Sequence, residues 1–406
     1  MNNRHIYYIS TFIPRDIKSK ISGHMKNFNF NSADAFSYSV FDGLRKNLNH
    51  NFKCINVAPV GAFPRFNRNA KFSHHQSSEN GILVDSIGFS TIYGYMYYSI
   101  YKNLLDSLIN LPYKDDLSVF IVYSINIPVL KALIKYKTKY NNNIIIILII
   151  PDQIEDFDCN TLPAKIKSKL FGNIQDIYAH VDGFVLLTEQ MNDRISVKRP
   201  YCIVEGIYND SEERISISAS QKRKDILYTG MLYEKFGVKD LIDAFIKVPD
   251  MDARLLLCGC GELEDYIREV QMKDKRIKYL GLVNREDALK LQSEAYLLVN
   301  PRKPGQEFTK YSFPSKNIEY LVSGTPVLLY ELPGIPSEYY DYCYHISHDK
   351  TSIEDIAFAI EEILSCPQDM LDKLSSKASH FIKSKKNSKI QTAKILNLID
   401  IICSHS

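Results

Sequence analysis

The sequence predicts an α/β protein with two doubly wound, Rossmann-like domains that face a cleft. The first observation is length, because 406 residues exceed what one ordinary core accommodates. The second is the alternation of short apolar runs with amphipathic segments, which is typical of parallel strands covered by helices on both faces. The third is a polar segment without apolar periodicity at residues 209–224, after which the alternation begins again.

The first domain is predicted over residues 1–208. Its strands are short apolar runs: IYYI (6–9), FKCINVAP (52–59), VFIVYSI (119–125), IIIILII (144–150), GFVLLT (183–188) and YCIVEG (201–206). Helices are expected between them, at 33–48, 91–111, 127–140, 162–179 and 189–196. The polar segment 59–81 is interrupted by Pro and Gly and predicts a loop.

The second domain is predicted over residues 225–385, with 209–224 as the linker. Its strands are DILYTG (225–230), ARLLLCG (253–259), IKYLGL (277–282), YLLVNP (296–301) and TPVLLYE (325–331). Helices are expected at 238–248, 261–271, 284–295, 315–323, 351–365 and 368–383. Residues 386–406 predict a last helix with Ile390, Ala393, Leu396 and Ile399 on one face. That face needs a partner surface, and a return to the first domain is one way to provide it.

Composition narrows the class of protein. The chain is 45% hydrophobic and 24% charged, which is typical of a soluble globular protein. Its net charge of +3 is too small to indicate a nucleic-acid partner. The eight cysteines are scattered, which favours reduced thiols in the cytoplasm over disulfides or zinc. No signal peptide is recognisable, and the apolar run 144–150 is far too short to cross a bilayer.

The stretch YSFPSKNIEYLVSGTPVL at 311–328 predicts a loop, a helix and a strand. Pro314 suits the first turn of a helix, where backbone N–H groups and the helix dipole favour an anion. Lys316 adds a positive charge, and Glu319 lies one turn on, on the face of Ser315. The alternatives are an anion site whose carboxylate accepts from two vicinal hydroxyls, and an ordinary cap with solvated charges.

Five pieces of the sequence, in order, resemble the family 4 glycosyltransferases of GT-B fold. IEYLVSGTPVL is similar to the end of their EX7E motif, and YTGMLYEKFGVKDLIDAF to the first strand and glycine loop of their nucleotide domain. LLLCGCGELEDYI, IKYLGLV and YLLVNPR lie between these two, and DGFVLLTEQMNDRI with VEGI resembles the end of the family's first domain. The resemblance is good over 144–340 and weak over 1–120.

The resemblance implies a function. It implies retaining transfer of a hexosyl unit from a nucleotide diphosphate sugar to a glycan or lipid-linked acceptor. It implies that no metal or cofactor takes part, and that the second domain holds the donor and the first the acceptor. The setting would be bacterial surface-polysaccharide synthesis of the capsule or O-antigen kind.

The resemblance also assigns residues, with departures. Glu319 matches the glutamate that binds the nucleotide ribose. Tyr311 stands where the family's other glutamate touches the donor sugar, and Glu307 is a candidate to replace it. The backbone of three residues matches the contacts to sugar and diphosphate: Ser312, Phe313 and Ser315.

The glycine loop around Gly230 departs too. Met231 and Phe236 stand where the family has an arginine and a lysine on the diphosphate. Three cations are candidates to supply the missing charge: Lys235, Arg302 and Lys316.

Asp152 follows the strand 144–150, near where family members place a catalytic histidine. It is a candidate for catalysis together with Lys316, or else it caps the next turn. The segment 164–174 alternates lysines with apolar residues, which fits either a solvated helix or contact with an anionic membrane surface. The tyrosine-rich helix 91–110 fits packing or an acceptor groove.

Two other functions share this plan. A GT-B sugar-nucleotide 2-epimerase needs several carboxylates and a histidine around the diphosphate, and the sequence offers no such set. A degenerate GT-B protein would bind nucleotide sugar or act as a scaffold without catalysis. The departures at Met231, Phe236 and Tyr311 keep that alternative open.

Overall fold

The computed structural model of the protein describes residues 4–25, 32–112, 116–151, 174–210 and 223–405. The chain divides into an N-terminal unit, Met1–Ile207 with Ser388–Ser406, and a C-terminal unit, Tyr208–Asn387. Most of the predicted linker, 211–222, lies outside the described residues. Each unit contains a parallel sheet with helices, so the predicted α/β class with two Rossmann-like domains is confirmed.

The main sheet of the N-terminal unit has eight described strands in the order β10-β9-β8-β7-β1-β2-β5-β4. Neighbouring strands are parallel except β4 and β5, and β3 pairs separately with β6. The strands are β1 (Arg4–Ser10), β2 (Lys53–Asn56), β3 (Lys71–Phe72), β4 (His75–Glu79), β5 (Ile82–Ser86), β6 (Phe89–Ser90), β7 (Leu117–Tyr123), β8 (Ile144–Ile150), β9 (Gly183–Leu186) and β10 (Tyr201–Ile203). The helices are α1 (Lys18–His24), α2 (Ser32–Leu48), α3 (Met96–Ile109), α4 (Ile127–Lys139) and α5 (Ile174–Tyr178).

Burial explains the central strands. All seven residues of β8 are buried, which is why that strand is a run of Ile and Leu rather than an alternating pattern. The segment 59–81 was predicted to be a loop, and this is wrong, because it contains β3 and β4. Strand β4 (HQSSE) buries Ser77 and Glu79 rather than apolar residues, so its sequence does not show the apolar alternation of a strand.

The last helix, α12 (Ser388–His405), packs on α2 of the N-terminal unit. Ile395, Leu398 and Ile399 are buried there in the same core as Phe41. The buried face differs from the predicted one, since Ile390 is 44% exposed. Two polar residues, Gln391 and Thr392, are buried in its place.

A buried ion cluster fixes the start of α12. Asp42 of α2 is fully buried and accepts from Ser388 Oγ at 2.8 Å. It also pairs with Lys46 at 2.7 Å and Arg45 at 2.8 Å. Gly43 lets the helices approach, because a Cβ there would lie 2.2 Å from the carbonyl oxygen of Ser388.

The C-terminal unit has six described strands, all parallel, in the order β13-β12-β11-β14-β15-β16. They are β11 (Asp225–Thr229), β12 (Arg254–Cys258), β13 (Ile277–Gly281), β14 (Leu297–Asn300), β15 (Val327–Tyr330) and β16 (Tyr344–Ile346). The helices are α6 (Val238–Lys247), α7 (Glu264–Lys273), α8 (Arg285–Glu294), α9 (Lys316–Val322), α10 (Ile353–Leu364) and α11 (Gln368–Lys385). This is the 3-2-1-4-5-6 order of dinucleotide-binding sheets. Within the described ranges, no helix has the length and apolarity to span a membrane.

Candidate functional site

The candidate site lies where the strand order of the C-terminal unit reverses. Strand β11 pairs with β12 on one side and with β14 on the other. Ligands of doubly wound sheets bind beyond the carboxyl ends of the strands at such a point. The loops after β11 and β14 touch here, since a Cβ on Gly237 (φ +78°) would lie 1.9 Å from the carbonyl oxygen of Pro301. Only glycine permits this approach.

Arg302, two residues beyond β14, carries a shielded guanidinium group. Its Cζ lies 4.9 Å from the ring centre of Phe236 and 5.3 Å from that of Phe308. Its Nη1 donates to Ser312 Oγ at 3.3 Å, and its Nε is buried without a hydrogen-bond partner in the described part of the chain. Burial lowers the pKa of Arg302 to about 10, so it remains positive at neutral pH. No described carboxylate pairs with it.

Arg276 of the same unit shows how such a group is normally compensated. It also stacks on a phenylalanine, with Cζ 4.9 Å from the ring centre of Phe245. Unlike Arg302, it pairs with Asp274 at 2.7 Å and donates to the carbonyl oxygen of Val248 at 2.7 Å. Arg302 differs from Arg276 in that no carboxylate in the described part of the chain pairs with it.

Phe236 explains one departure from the family pattern. The resemblance predicts a lysine at this position, and the ring of Phe236 lies under both Arg302 and Lys235, whose Nζ is 5.2 Å from the ring centre. Lys235 itself is exposed. Met231, in the arginine position, is 48% exposed. The aromatic ring therefore supports cations from other positions of the chain.

Glu319, on α9, is a carboxylate held by cations. Its side chain is only 12% exposed. Its Oε1 accepts from Lys316 Nζ at 2.7 Å and from Gln292 Nε2 at 2.6 Å, and Arg285 Nη1 lies 3.4 Å from Oε2. Burial alone would raise the pKa of Glu319, but Lys316, Arg285 and Gln292 bring it down to about 2. At neutral pH Glu319 is therefore ionised and only accepts hydrogen bonds.

Gln292 and Tyr320 connect this carboxylate to the end of β11. Gln292 is fully buried, and its Nε2 also donates to Thr229 Oγ1 at 3.1 Å. Tyr320 Oη accepts from Thr229 N at 2.8 Å. Gln292 and Arg285 were not predicted as site residues. Gln292 lies in a helix whose sequence is mostly polar, so nothing in the sequence distinguishes it from a solvent-exposed glutamine. Its burial, which the structure shows, is the sign of its role.

Helix α9 is shorter than the helix predicted over residues 315–323. Helix α9 begins at Lys316 and has seven residues, and the Ser315 side chain caps none of its N–H groups. Ser315 is exposed and Phe313 is buried. Ser312 Oγ donates to the carbonyl oxygen of Phe308 at 3.0 Å and so joins Arg302 to the loop before α9.

Two predicted sugar-binding residues lie in the loop after β14. Glu307 begins a 3-10 turn, Glu307–Lys310, and is exposed, whereas Tyr311 ends that turn and is partly buried. Gly230, directly after β11, donates its N–H to the carbonyl oxygen of Cys258 at 2.9 Å. The structure thus brings Gly230, Arg302 and Ser312 to one edge of the sheet.

Two predictions concern residues outside the described ranges. Asp152 and most of the segment 164–174 lie there. Among the described residues, no group of three His, Cys, Asp or Glu side chains has the geometry to hold a metal ion. The expected lack of a metal or cofactor remains a prediction.

Residues 209–381 match the family model described as "Glycosyl transferases group 1". No sequence among the curated proteins matches the chain. The match spans the whole site described above, from the glycine loop after β11 to helix α9. It supports glycosyl transfer as the chemistry of this unit.

Solved structures extend the similarity to the whole chain. Sucrose-phosphate synthase from Thermosynechococcus elongatus has 11% identity and a TM-score of 0.66, with 100% of both chains covered. The lipopolysaccharide outer core galactosyltransferase WaaB has 12% identity and a TM-score of 0.63, covering 98% of this chain and 99% of its own. Anabaena Alr3699/HepE, solved with UDP, has 10% identity and a TM-score of 0.60, covering 98% and 100%. The chain therefore has the GT-B fold, and its C-terminal unit matches the group 1 glycosyl transferases.

Proposed function

We propose that this protein transfers a hexosyl unit from a nucleotide diphosphate sugar to a glycan or lipid-linked acceptor. The observation that carries the proposal is Arg302, a shielded guanidinium without a described counter-charge at the switch point of the sheet. A buried cation is costly unless an anion compensates it. The diphosphate of a sugar nucleotide is such an anion, and the family match of this unit favours it.

The neighbouring groups fit the other parts of that donor. Glu319, ionised at neutral pH, accepts hydrogen bonds from the two hydroxyls of the ribose. Lys235, which lies over the same Phe236 ring as Arg302, and Lys316, which pairs with Glu319, add positive charge. The backbone around three residues approaches the sugar and diphosphate: Ser312, Phe313 and Ser315. Tyr311, with Glu307 nearby, faces the sugar in place of the family's glutamate and sets donor preference.

The reaction follows from this arrangement. The bond between the anomeric carbon and the phosphate oxygen breaks, and its electron pair leaves with the diphosphate. A hydroxyl oxygen of the acceptor bonds to the anomeric carbon, with retention of configuration, and its proton passes to the departing diphosphate. Arg302 and Lys316 stabilise the charge that develops on the leaving group, so catalysis is mainly positioning and electrostatic. A metal is not required in this scheme, and Asp152 is proposed as a further catalytic residue.

Two solved neighbours support the substrate class. One was solved with UDP, and another is named for the lipopolysaccharide outer core. We propose a role for this protein in surface-polysaccharide synthesis, of the capsule or O-antigen kind. It would act in the cytoplasm, with peripheral contact at the inner face of the membrane.

The test begins with a thermal-shift screen of the full chain against UDP-, GDP- and dTDP-sugars, since a ligand that binds only the folded state raises its unfolding midpoint. Arg302→Met should weaken binding of the preferred nucleotide about 10- to 100-fold, because a charge-assisted hydrogen bond contributes roughly 1.5–3 kcal/mol. Without ligand, the same variant should unfold at an equal or higher temperature, because an uncompensated buried charge has been removed.

Lys303→Met is the matched control. Lys303 is the next residue, its side chain is 19% exposed, and it pairs with Asp240 at 2.7 Å. This variant should lose stability and keep its nucleotide affinity. The reverse pattern in the two variants would show that Arg302 is a structural residue and would remove the support for the proposal.

Product analysis separates the alternatives. Transfer of labelled sugar to an acceptor, or slow donor hydrolysis without one, supports the transferase. Recovery of an epimerised nucleotide sugar would identify the 2-epimerase. Binding without transfer, hydrolysis or epimerisation, together with no effect of Glu319→Ala in cells, would identify the non-catalytic binding protein.

A further inference from the structure

The N-terminal unit contains a pocket of about 370 Å³ at the carboxyl edge of its sheet. Its walls come from residues that directly follow β1, β2 and β7 and from the first turns of α3 and α4. Strand β1 pairs with β2 on one side and with β7 on the other. The pocket therefore lies at the switch point of this sheet, and its size falls in the range of roughly 300–1,000 Å³ found for ligand pockets.

A buried polar cluster lies directly before the lining residues Thr11 and Val57 in the chain. Asn56, the last residue of β2, is fully buried. Its Oδ1 accepts from Ser10 Oγ at 2.8 Å and from Phe12 N at 3.2 Å, and its Nδ2 donates to Ser86 Oγ at 3.0 Å. These bonds fix the ends of three neighbouring strands, so the pocket is formed without a ligand.

The chemistry of the walls is apolar and uncharged. Val60, Ile100 and Tyr97 are among the lining residues, and none of the described lining side chains is acidic or basic. Three hydroxyls are present, on Thr11, Tyr97 and Ser124, and those of Thr11 and Ser124 make no hydrogen bond within the described part of the chain. Extending the β1–β7 register, in which Ile9 pairs with Val122, places these two residues side by side.

Ser124 is also held in an unusual backbone conformation. Its φ is +70°, in the left-handed region that favours glycine. Its N–H donates to the carbonyl oxygen of Ile149 at 3.0 Å, and its own carbonyl accepts from Asn126 N at 2.9 Å. Backbone strain of this kind destabilises the fold and is found mainly at functional sites.

We infer that this pocket receives the acceptor, and that the group it receives is an uncharged, hydroxyl-bearing sugar ring without phosphate or carboxylate. The inference rests on the proposed glycosyl transfer. The hydroxyls of Thr11 and Ser124 bind ring hydroxyls, and the apolar walls and Tyr97 contact the C–H faces of the ring. A phosphate or carboxylate in this pocket would lose its water and meet no described cation, so charged sugars are excluded.

The test uses the full chain and the donor found in the screen above. Matched acceptors are neutral hexoses and methyl hexosides, their 6-phosphates, and the corresponding hexuronic acids. Transfer to the neutral acceptors should have a kcat/KM at least about 100-fold above that for either charged form. Preference for a phosphorylated or carboxylated sugar would overturn the inference.

Two substitutions at Ser124 separate the hydroxyl from the backbone. Both Ser124→Ala and Ser124→Gly remove the hydroxyl and should raise the acceptor KM about 10-fold, with donor hydrolysis and the donor-induced thermal shift unchanged. Only Ser124→Gly relieves the strain, so it alone should raise the unfolding temperature. Thr11→Val should act like Ser124→Ala, and an unchanged acceptor KM in all three variants would refute the pocket assignment.

Different results would refute the proposed glycosyl transfer and the assignment of the pocket to the acceptor. A protein that neither binds nor hydrolyses any nucleotide sugar refutes the proposed function. A protein that transfers sugar with the same acceptor preference in wild type and in these variants refutes only the inference about the pocket.

Discussion

Glu319→Gln tests the electrostatics of the candidate site most directly. The substitution keeps the shape of the side chain and removes the charge that Lys316 and Arg285 hold. The pKa of Glu319 is lowered from 4.5 to about 2. Each pKa unit corresponds to about 1.4 kcal/mol, so the ionised carboxylate stabilises the fold by about 3 kcal/mol at neutral pH.

The sign of the pH dependence follows from the lowered pKa. The contribution of the Glu319 carboxylate to the free energy of unfolding is fully present above the unfolded-state pKa near 4.5. It is lost as the pH falls through the folded-state pKa near 2. By this linkage about 1 kcal/mol remains at pH 3. The difference in unfolding free energy between wild type and Glu319→Gln should therefore shrink by about 2 kcal/mol between pH 7 and pH 3.

The assay is urea unfolding of the full chain followed by far-UV circular dichroism, since the chain has no tryptophan. Glu294→Gln is the control, because Glu294 is 43% exposed and its nearest ion pair, to Lys290, is 3.9 Å long. That control should differ little from wild type at either pH. A Glu319→Gln difference that stays constant from pH 7 to pH 3 would refute the claim that the cations hold the carboxylate ionised.

Three further changes test the framework around the sites. Gly43→Ala should destabilise the N-terminal unit by about 1–3 kcal/mol, measured by thermal unfolding, because the new Cβ meets the carbonyl oxygen of Ser388. Gly237→Ala should lower both the unfolding midpoint and nucleotide binding, because the added Cβ meets the carbonyl oxygen of Pro301 as well as straining a positive φ. Burial raises the pKa of the Cys54 thiol to about 12, so mass spectrometry should find it unmodified by iodoacetamide at pH 8 until the protein is unfolded.

The central strands could be predicted from sequence because burial on both faces leaves a local signature. Strand β8 needs apolar side chains at all seven positions, and a run of seven residues is shorter than a fully buried helix usually is. Strand β4 has no such signature. It lies at the edge of the sheet, and its buried residues, Ser77 and Glu79, are polar.

The candidate site was only partly predictable, because some of its residues lie in segments with a local pattern and others are brought in by packing. Glu319 and Arg302 lie in recognisable segments, so pattern and resemblance both indicated them. Gln292 and Arg285 reach Glu319 from α8, 27 and 34 residues earlier in the chain. Such contacts are set by how helices pack on the sheet, and a sequence pattern does not record that packing.

The position of α12 has a consequence for how the protein is made. Residues of this helix complete the core of the N-terminal unit, yet they leave the ribosome after the whole C-terminal unit. During synthesis the apolar surface around Phe41 therefore stays uncovered while the second unit is able to fold. A chain that stops before Ser388 would keep the candidate site around Arg302 and expose that surface permanently. Such truncated chains should be bound by chaperones or aggregate.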